Sequence, residues 1–161
     1  MVTKIPESGA GLPSSFFKEL MALGDSITFK QNQIIFKQGE NADFFYILVQ
    51  GKVDISVGEN GHTVYTVNNP GEVFGWSCAL GRSEYSATAE CKSDCKVVKI
   101  KGEDVIKFLE KTPEKGIIFY KSVARILVNR LLQLYRLISE ITGEEAGITY
   151  GTGQITASKE E

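Results

Sequence analysis

The residues best suited to metal or redox chemistry are three cysteines and a single histidine. Cys78, Cys91 and Cys95 are odd in number, their spacing differs from that of a zinc site, and His62 lies apart from them. A structural metal centre needs about four ligands at compact spacing. We therefore expect no metal site and three buried, reduced thiols, with a redox pair of Cys91 and Cys95 as the lesser alternative.

Side chains for catalysis do not form a recognisable set either. The sequence has no second histidine, no nucleophile with an obvious base and no phosphate-cradling P-loop, so we do not expect an enzyme. The net charge is −2, from 18 basic and 20 acidic residues, which gives no electrostatic support for nucleic-acid binding by this chain alone.

Length and hydropathy indicate one domain with a sizeable core. The chain has 161 residues, of which 42% are hydrophobic. The opening segment MVTKIPESGAGLPSS contains no apolar run of signal-peptide length, and no later window approaches a membrane span. We therefore expect a cytoplasmic protein without a membrane contact.

The middle of the chain has the pattern of short β-strands. Residues 36–90 are rich in Val, Ile, Tyr, Phe and Thr, and glycines recur among them at turn-like intervals. An apolar run, 44–49, ends at Gly51, and strict alternation resumes over 53–57. The simplest interpretation of these two runs is an antiparallel pair joined by a tight glycine turn. The whole segment predicts a small β-sandwich or barrel.

Both ends of the chain have helical periodicity. A short helix is predicted over 14–21, another over 102–111, and a long one from Pro113 to Ile141. In the long helix, apolar residues are spaced alternately by three and four, which is typical of a two-stranded coiled coil. These residues are Ile117, Tyr120, Ala124, Leu127, Leu131, Leu134, Ile138 and Ile141.

This seam predicts a parallel homodimer, with Leu127, Leu131, Leu134 and Ile138 in the interface. The alternative is a helix that packs only on its own β-domain. However, a second stripe, formed by Phe119, Val123 and Ile126, is available for that packing. The remaining seam would then expose a long apolar strip in a monomer, which is unfavourable in water.

Together these patterns resemble the cyclic nucleotide-binding domain family from about Phe16 to Ile141. The resemblance implies an α+β fold, in which a small antiparallel β-barrel of the jelly-roll type carries a short N-terminal helix and a long C-terminal dimerisation helix. The matching residues are Ile35, Gly39, Tyr46-Ile47-Leu48, Gly51-x-Val53, Pro70-Gly71-x-x-Phe74-Gly75 and Ala79-Leu80.

The implied boundaries follow from the same match. We expect a flexible N-terminus over 1–13, a cyclic nucleotide-binding-like domain over 14–141 and a disordered tail over 142–161. Within the domain, the barrel is expected over about 25–101 and the C-terminal helices over about 102–141.

The resemblance also exposes a difference in the phosphate-binding cassette, residues 74–89. In the family, a glutamate after Phe-Gly binds the ribose 2′-hydroxyl, and an arginine before a small residue pairs with the cyclic phosphate. Here those positions hold Trp76 and Tyr85, and one extra residue precedes Ala79-Leu80. A hydrogen bond to a charged group contributes roughly 1.5 to 3 kcal/mol, so losing both contacts would weaken binding roughly 100-fold or more. We therefore expect weak or absent binding of cyclic AMP and cyclic GMP, and no certain cofactor.

Three interpretations of Trp76 and Tyr85 remain open. In the first, the two rings fill the pocket. In the second, they line a pocket for a flatter small-molecule effector. In the third, the pocket still binds cyclic nucleotides weakly. The last would use Arg82 or the free N–H groups of a short helix over 75–80. The candidate ligand-binding residues are Phe74, Gly75, Trp76, Ser77, Cys78, Ala79, Arg82, Tyr85, Ser86, Tyr135 and Arg136, the last two placed near the base by resemblance.

The resemblance implies a regulatory ligand-sensing or adaptor module that acts as a homodimer on an unknown protein partner. A dimeric scaffold with a self-filled pocket is one alternative. Another is the sensor half of a transcription regulator, because the Gly- and Thr-rich residues after 142 are too few to form a winged helix-turn-helix.

Overall fold

The computed structural model describes residues 12–142. The expectations for the first residues of the N-terminus and for the tail beyond 142 lie outside these described residues. The elements are α1 (Ser14–Met21), β1 (Asp25–Phe29), β2 (Ile34–Phe36), β3 (Phe44–Gln50), β4 (Val53–Val57), β5 (His62–Val67), β6 (Val73–Phe74), a short 3₁₀ helix (Trp76–Leu80, here the cassette helix), β7 (Thr88–Cys91), β8 (Cys95–Lys101), α2 (Gly102–Lys111) and α3 (Pro113–Thr142).

The strands form two antiparallel sheets of four strands each. Their orders are β1-β8-β3-β6 and β2-β7-β4-β5. This confirms the predicted α+β fold with a short N-terminal and a long C-terminal helix. Within residues 12–142 the hydrogen-bonded ladders form two separate sheets, as in the β-sandwich that the sequence also allowed, and closure into a barrel is not shown.

The predicted pairing of the two central runs as a hairpin is wrong. Strand β3 pairs with β8 and β6, whereas β4 pairs with β5 and β7 in the other sheet. The turn between them therefore carries the chain from one sheet to the other. Gly51 allows this close corner, because its φ is 103° and a Cβ there would lie 2.5 Å from the Asp94 carbonyl oxygen.

The helices close the core around the first sheet. Phe16 and Phe17 of α1 are fully buried, and the Phe16 ring stacks on Phe108 of α2 with centroids 5.7 Å apart. In α3, Phe119 is buried and its ring lies 5.9 Å from that of Phe45 in β3. Val123 is buried as well, so the first part of the second stripe packs as predicted.

The chain divides into two compact units, at Ala124 and Arg125. In the described part of the second unit, the four residues predicted for the dimer interface are well exposed, Leu127 at 44%, Leu131 at 44%, Leu134 at 51% and Ile138 at 44%. None of the helices in residues 12–142 is both long enough and apolar enough to cross a membrane.

Candidate functional site

The second residue of the cassette, Gly75, has a backbone conformation that other residues adopt only with strain. Gly75 has a φ of 70°, and a Cβ there would lie 2.9 Å from the Tyr46 ring. The predicted short helix follows as one 3₁₀ segment, and Gly81, with a φ of 72°, ends it. The two left-handed glycines thus fix where the cassette helix starts and stops.

Tyr85, at the position of the family's arginine, points into the core and is only 4% exposed. Its hydroxyl donates a hydrogen bond to the Phe44 carbonyl oxygen at 2.7 Å and accepts one from the Phe44 N–H at 3.2 Å. Its ring stacks on Phe36, with centroids 3.8 Å apart and an interplanar angle of 15°. The Tyr85 backbone is hydrogen-bonded as well. The Tyr85 N–H donates to the Glu40 carbonyl oxygen, and the Tyr85 carbonyl oxygen accepts from the Gly39 N–H.

Tyr85 belongs to a cluster of four buried rings, with Phe36, Tyr46 and Phe74, which we call the aromatic cluster. The Tyr46 and Phe74 centroids are 5.3 Å apart, and Phe36 lies 5.6 Å from Tyr46. Phe36 comes from one sheet, whereas Tyr46 and Phe74 come from the other. The rings therefore fill the space between the two sheets beside the cassette.

The phenols of this cluster remain neutral well beyond physiological pH. Burial is the main cause that raises the pKa of Tyr46, and its contact with the Tyr85 hydroxyl raises it further. Burial also raises the pKa of Tyr85. A phenol oxygen has one proton to donate and two lone pairs, and the Tyr85 hydroxyl uses both functions on Phe44. No formal charge is therefore presented to a phosphate here.

Phe36 and Tyr46 were not among the predicted site residues. The signal for Tyr46 was present, because Phe44, Tyr46 and Leu48 alternate along β3 and so share one face of the sheet. Phe36 had only a weak signal, the apolar end of the short strand β2. Its stacking with Tyr85 depends on a pairing of distant segments.

The other predicted site residues differ in how far they are buried. Ser77, Cys78 and Ala79 are buried in the cassette helix, and Trp76 is half-buried and packs against the core. The Arg82 and Ser86 side chains are exposed. Thus the structure brings residues 74–79 together with Tyr85, but it does not turn Arg82 inward.

Tyr135 and Arg136 lie in the second unit, on α3, and both are exposed. Tyr120, which the sequence placed in the heptad seam but not in the site, connects α3 to the cassette within the first unit. Its hydroxyl donates a hydrogen bond to the Ala79 carbonyl oxygen at 3.1 Å. Tyr120 therefore bonds the cassette and is also a residue of the predicted seam, where it is 42% exposed.

Cys91 and Cys95 are buried thiols in contact with each other. Burial, and then the Cys95 thiol, raise the pKa of Cys91 to about 12. The Cys95 thiol lies 3.1 Å from the Lys52 carbonyl oxygen. A thiol that stays protonated is a poor nucleophile, which disfavours reactivity of Cys91. Both cysteines pack within the hydrophobic core. In the described part of the chain, no three His, Cys, Asp or Glu side chains are grouped so that they could hold a metal ion.

The cyclic nucleotide-binding domain family matches residues 26–112, and the chain belongs to this family. The nitrogen fixation regulation protein FixK of Azorhizobium caulinodans is 32% identical over 82 residues, which cover 50% of this chain and 32% of that protein. The chain therefore spans about a third of the length of this curated relative.

Solved structures with the same fold agree with this assignment. A putative cyclic nucleotide-binding protein from Geobacter metallireducens matches with a TM-score of 0.64 and 25% identity, over 79% of this chain and 93% of that one. The catabolite activator protein of Thermus thermophilus matches with a TM-score of 0.67 and 26% identity, over 81% and 62% of the two chains. The domain thus has a regulatory fold, related to transcription regulators.

Proposed function

We propose that this chain is a dimeric regulatory module whose central pocket is filled by its own aromatic side chains. It does not bind cyclic AMP or cyclic GMP in the usual way of its family. The observation that carries this proposal is the buried Tyr85, which is stacked on Phe36 and doubly hydrogen-bonded to the Phe44 backbone.

The energetic argument has two parts. A ligand that needs this space must first move Tyr85, which breaks its hydrogen bonds and one ring stack. These losses are on the order of 3 kcal/mol or more, which lowers an affinity at least about 100-fold. In addition, Trp76 and Tyr85 offer no carboxylate for the ribose and no guanidinium for the phosphate.

Titration calorimetry with cyclic AMP and cyclic GMP tests the ligand part of the proposal. We expect the wild-type protein to bind neither more tightly than high micromolar. The double variant Trp76→Glu with Tyr85→Arg restores both family side chains and opens the pocket, so it should gain at least about tenfold in affinity. Gln133→Arg, which adds a guanidinium at an exposed position of α3 outside the candidate site, is the matched control and should gain nothing. A wild-type dissociation constant near or below micromolar would contradict the proposal.

The dimer part rests on the exposed seam. Ile117 is 56% and Tyr120 is 42% exposed in the first unit, and the seam residues of the second unit are exposed as well. Exposed apolar strips of this length favour pairing with a second helix. Since Tyr120 also bonds the cassette helix, a change in the cassette can bias the pairing of α3, which is how such a module would regulate a partner.

Light scattering on the variant Leu131→Glu with Leu134→Glu tests this part. We expect the variant to be monomeric while the wild-type protein is not. Asn129→Glu, an exposed polar position of α3, is the control and should keep the wild-type mass. A monomeric wild-type protein at micromolar concentration would refute the dimer.

A second candidate function is the sensor half of a longer transcription regulator. The match to FixK covers only 32% of that protein, which favours this possibility. In that case DNA binding would reside in residues outside this chain.

A further inference from the structure

A cavity of about 560 Å³ lies between the cassette helix and the start of α2, and we call it the α2 cavity. Its lining includes Asp43, Cys78, Arg82, Gly102 and Ile106, all in the first unit. Of the described residues, those of the aromatic cluster do not line it, so it is separate from the filled pocket. Its volume is in the usual range of ligand pockets, about 300–1,000 Å³.

The backbone around the α2 cavity is held in place. Because residue 102 is glycine, α2 can start directly on the cassette helix; a Cβ there would lie 2.7 Å from the Cys78 Cβ. The Gly102 N–H donates to the Asp43 carbonyl oxygen at 2.8 Å. On the opposite wall, the Arg82 N–H donates to the Ser77 carbonyl oxygen at 3.0 Å. A ligand therefore meets a site that is largely preformed, which lowers the cost of binding.

Three charged side chains of the cavity form no ion pair in the part of the chain that the structure describes. Asp43 belongs to the loop before β3, Arg82 follows the cassette helix, and Lys101 ends β8. Glu103 also lines the cavity, but its carboxylate lies 3.5 Å from the Lys107 ammonium. One carboxylate and two cations thus share the cavity without pairing with each other, which leaves room for a ligand that bridges them.

This arrangement discriminates between ligands by charge. A simple anion is attracted by Arg82 and Lys101 but repelled by Asp43, and a simple cation meets the reverse. A zwitterion gains from both signs. Ile106 and Cys78 add apolar lining that suits a short hydrocarbon chain. An α-amino acid carries an ammonium, a carboxylate and such a chain on one carbon atom.

We propose that the α2 cavity binds a small zwitterion of the α-amino acid class, with its ammonium on Asp43 and its carboxylate on Arg82 and Lys101. This site goes beyond the proposed function, because it requires neither the dimer nor an open aromatic pocket. It lies against the same cassette helix whose Ala79 carbonyl accepts the Tyr120 hydroxyl. A module with a filled central pocket would therefore still have a place for an effector.

Titration of the ¹⁵N-labelled protein with L-leucine, followed by amide NMR shifts, tests this site. We expect the largest shifts at Asp43, Arg82 and Gly102. N-acetyl-L-leucine lacks the ammonium and L-leucinamide lacks the carboxylate, so each should bind at least about tenfold more weakly than L-leucine. If N-acetyl-L-leucine binds as well as L-leucine, Asp43 has no role and the zwitterion class is wrong.

Two variants assign the contacts. Arg82→Gln and Asp43→Asn each remove one charge from an exposed side chain and should weaken L-leucine binding about tenfold. Lys18→Gln on α1 and Asp25→Asn on β1 remove the same charges at exposed positions outside the cavity, so they are the matched controls and should bind as the wild-type protein does. Circular dichroism checks that every variant is folded. Wild-type affinity in both cavity variants would overturn the assignment.

The remaining failures are distinguishable. If neither L-leucine nor L-methionine shifts the cavity residues at about 20 mM, this inference is overturned, whereas the filled pocket and the dimer are unaffected. Shifts centred on Tyr85 and Phe36 would instead place the amino acid in the aromatic cluster. That result would overturn both this inference and the filled pocket.

Discussion

Replacing Tyr85 by phenylalanine isolates the contribution of one hydroxyl to the filled pocket. The change keeps the ring that stacks on Phe36 and removes only the oxygen. Without this oxygen, the Phe44 N–H loses its hydrogen-bond acceptor, which lies 3.2 Å away. The Phe44 carbonyl oxygen loses its donor, which lies 2.7 Å away. The Tyr46 hydroxyl also loses its contact.

The expected loss of unfolding free energy follows from these contacts. A buried polar group left without its partner costs about 1–3 kcal/mol. Phe44 is half-buried, so water can compensate part of this, and we expect about 1–3 kcal/mol in total for Tyr85→Phe. Tyr85→Ala also removes the ring and leaves a cavity, so it should cost at least about 3–5 kcal/mol.

Chemical denaturation followed by circular dichroism measures both losses. Tyr135→Phe is the matched control, since this tyrosine is 56% exposed, and its change should stay within about 0.5 kcal/mol of the wild-type stability. If Tyr85→Phe is equally neutral, the Tyr85 hydroxyl does not hold the Phe44 backbone and the reasoning fails.

Two further predictions concern stability. Gly75→Ala should destabilise the protein by about 1–3 kcal/mol in the same assay, because the left-handed backbone and the Tyr46 ring 2.9 Å away both oppose a Cβ. Gly58→Ala, with a φ of 76° and open space around it, should cost less, and equal losses would contradict the predicted clash. At Glu72, burial raises the carboxyl pKa, but the hydrogen bonds from the Asn68 and Asn69 backbone and from the Asn69 and Tyr65 side chains together outweigh it, and the pKa is lowered. The stability this gives is present above the unfolded-state pKa and is lost as pH falls through the lower folded-state pKa. Glu72→Gln should therefore flatten the decline of unfolding free energy with acid, and an unchanged slope would refute this role.

Local signals in the sequence were sufficient to predict where the helices begin and end. The bounds of α2, Gly102–Lys111, agree with the prediction because Pro113 cannot continue a helix and the apolar spacing stops there. The seam of α3 was likewise readable from its spacing. Such features depend on neighbours within one or two turns.

Strand pairing and the state of the pocket depended on distant segments. Nothing within β3 and β4 indicates that they lie in different sheets, since their partners β8 and β7 come much later in the chain. Tyr85 was compatible with a filled pocket or with a ligand site, because its stacking partner Phe36 lies on another strand. The sequence shows that tyrosine stands at position 85 in place of the family's arginine, but it does not show whether that side chain points into the core.

The measurement that tests the filled pocket most directly is a nuclear Overhauser experiment on the Tyr85 ring, with and without cyclic AMP at about tens of micromolar, below the expected dissociation constant. The account predicts strong contacts between the ring protons of Tyr85 and Phe36, as their 3.8 Å centroid distance requires, and no change when the nucleotide is added. Loss of these contacts, with new ones from the nucleotide to the cassette helix, would show that Tyr85 is a movable gate and would contradict the account.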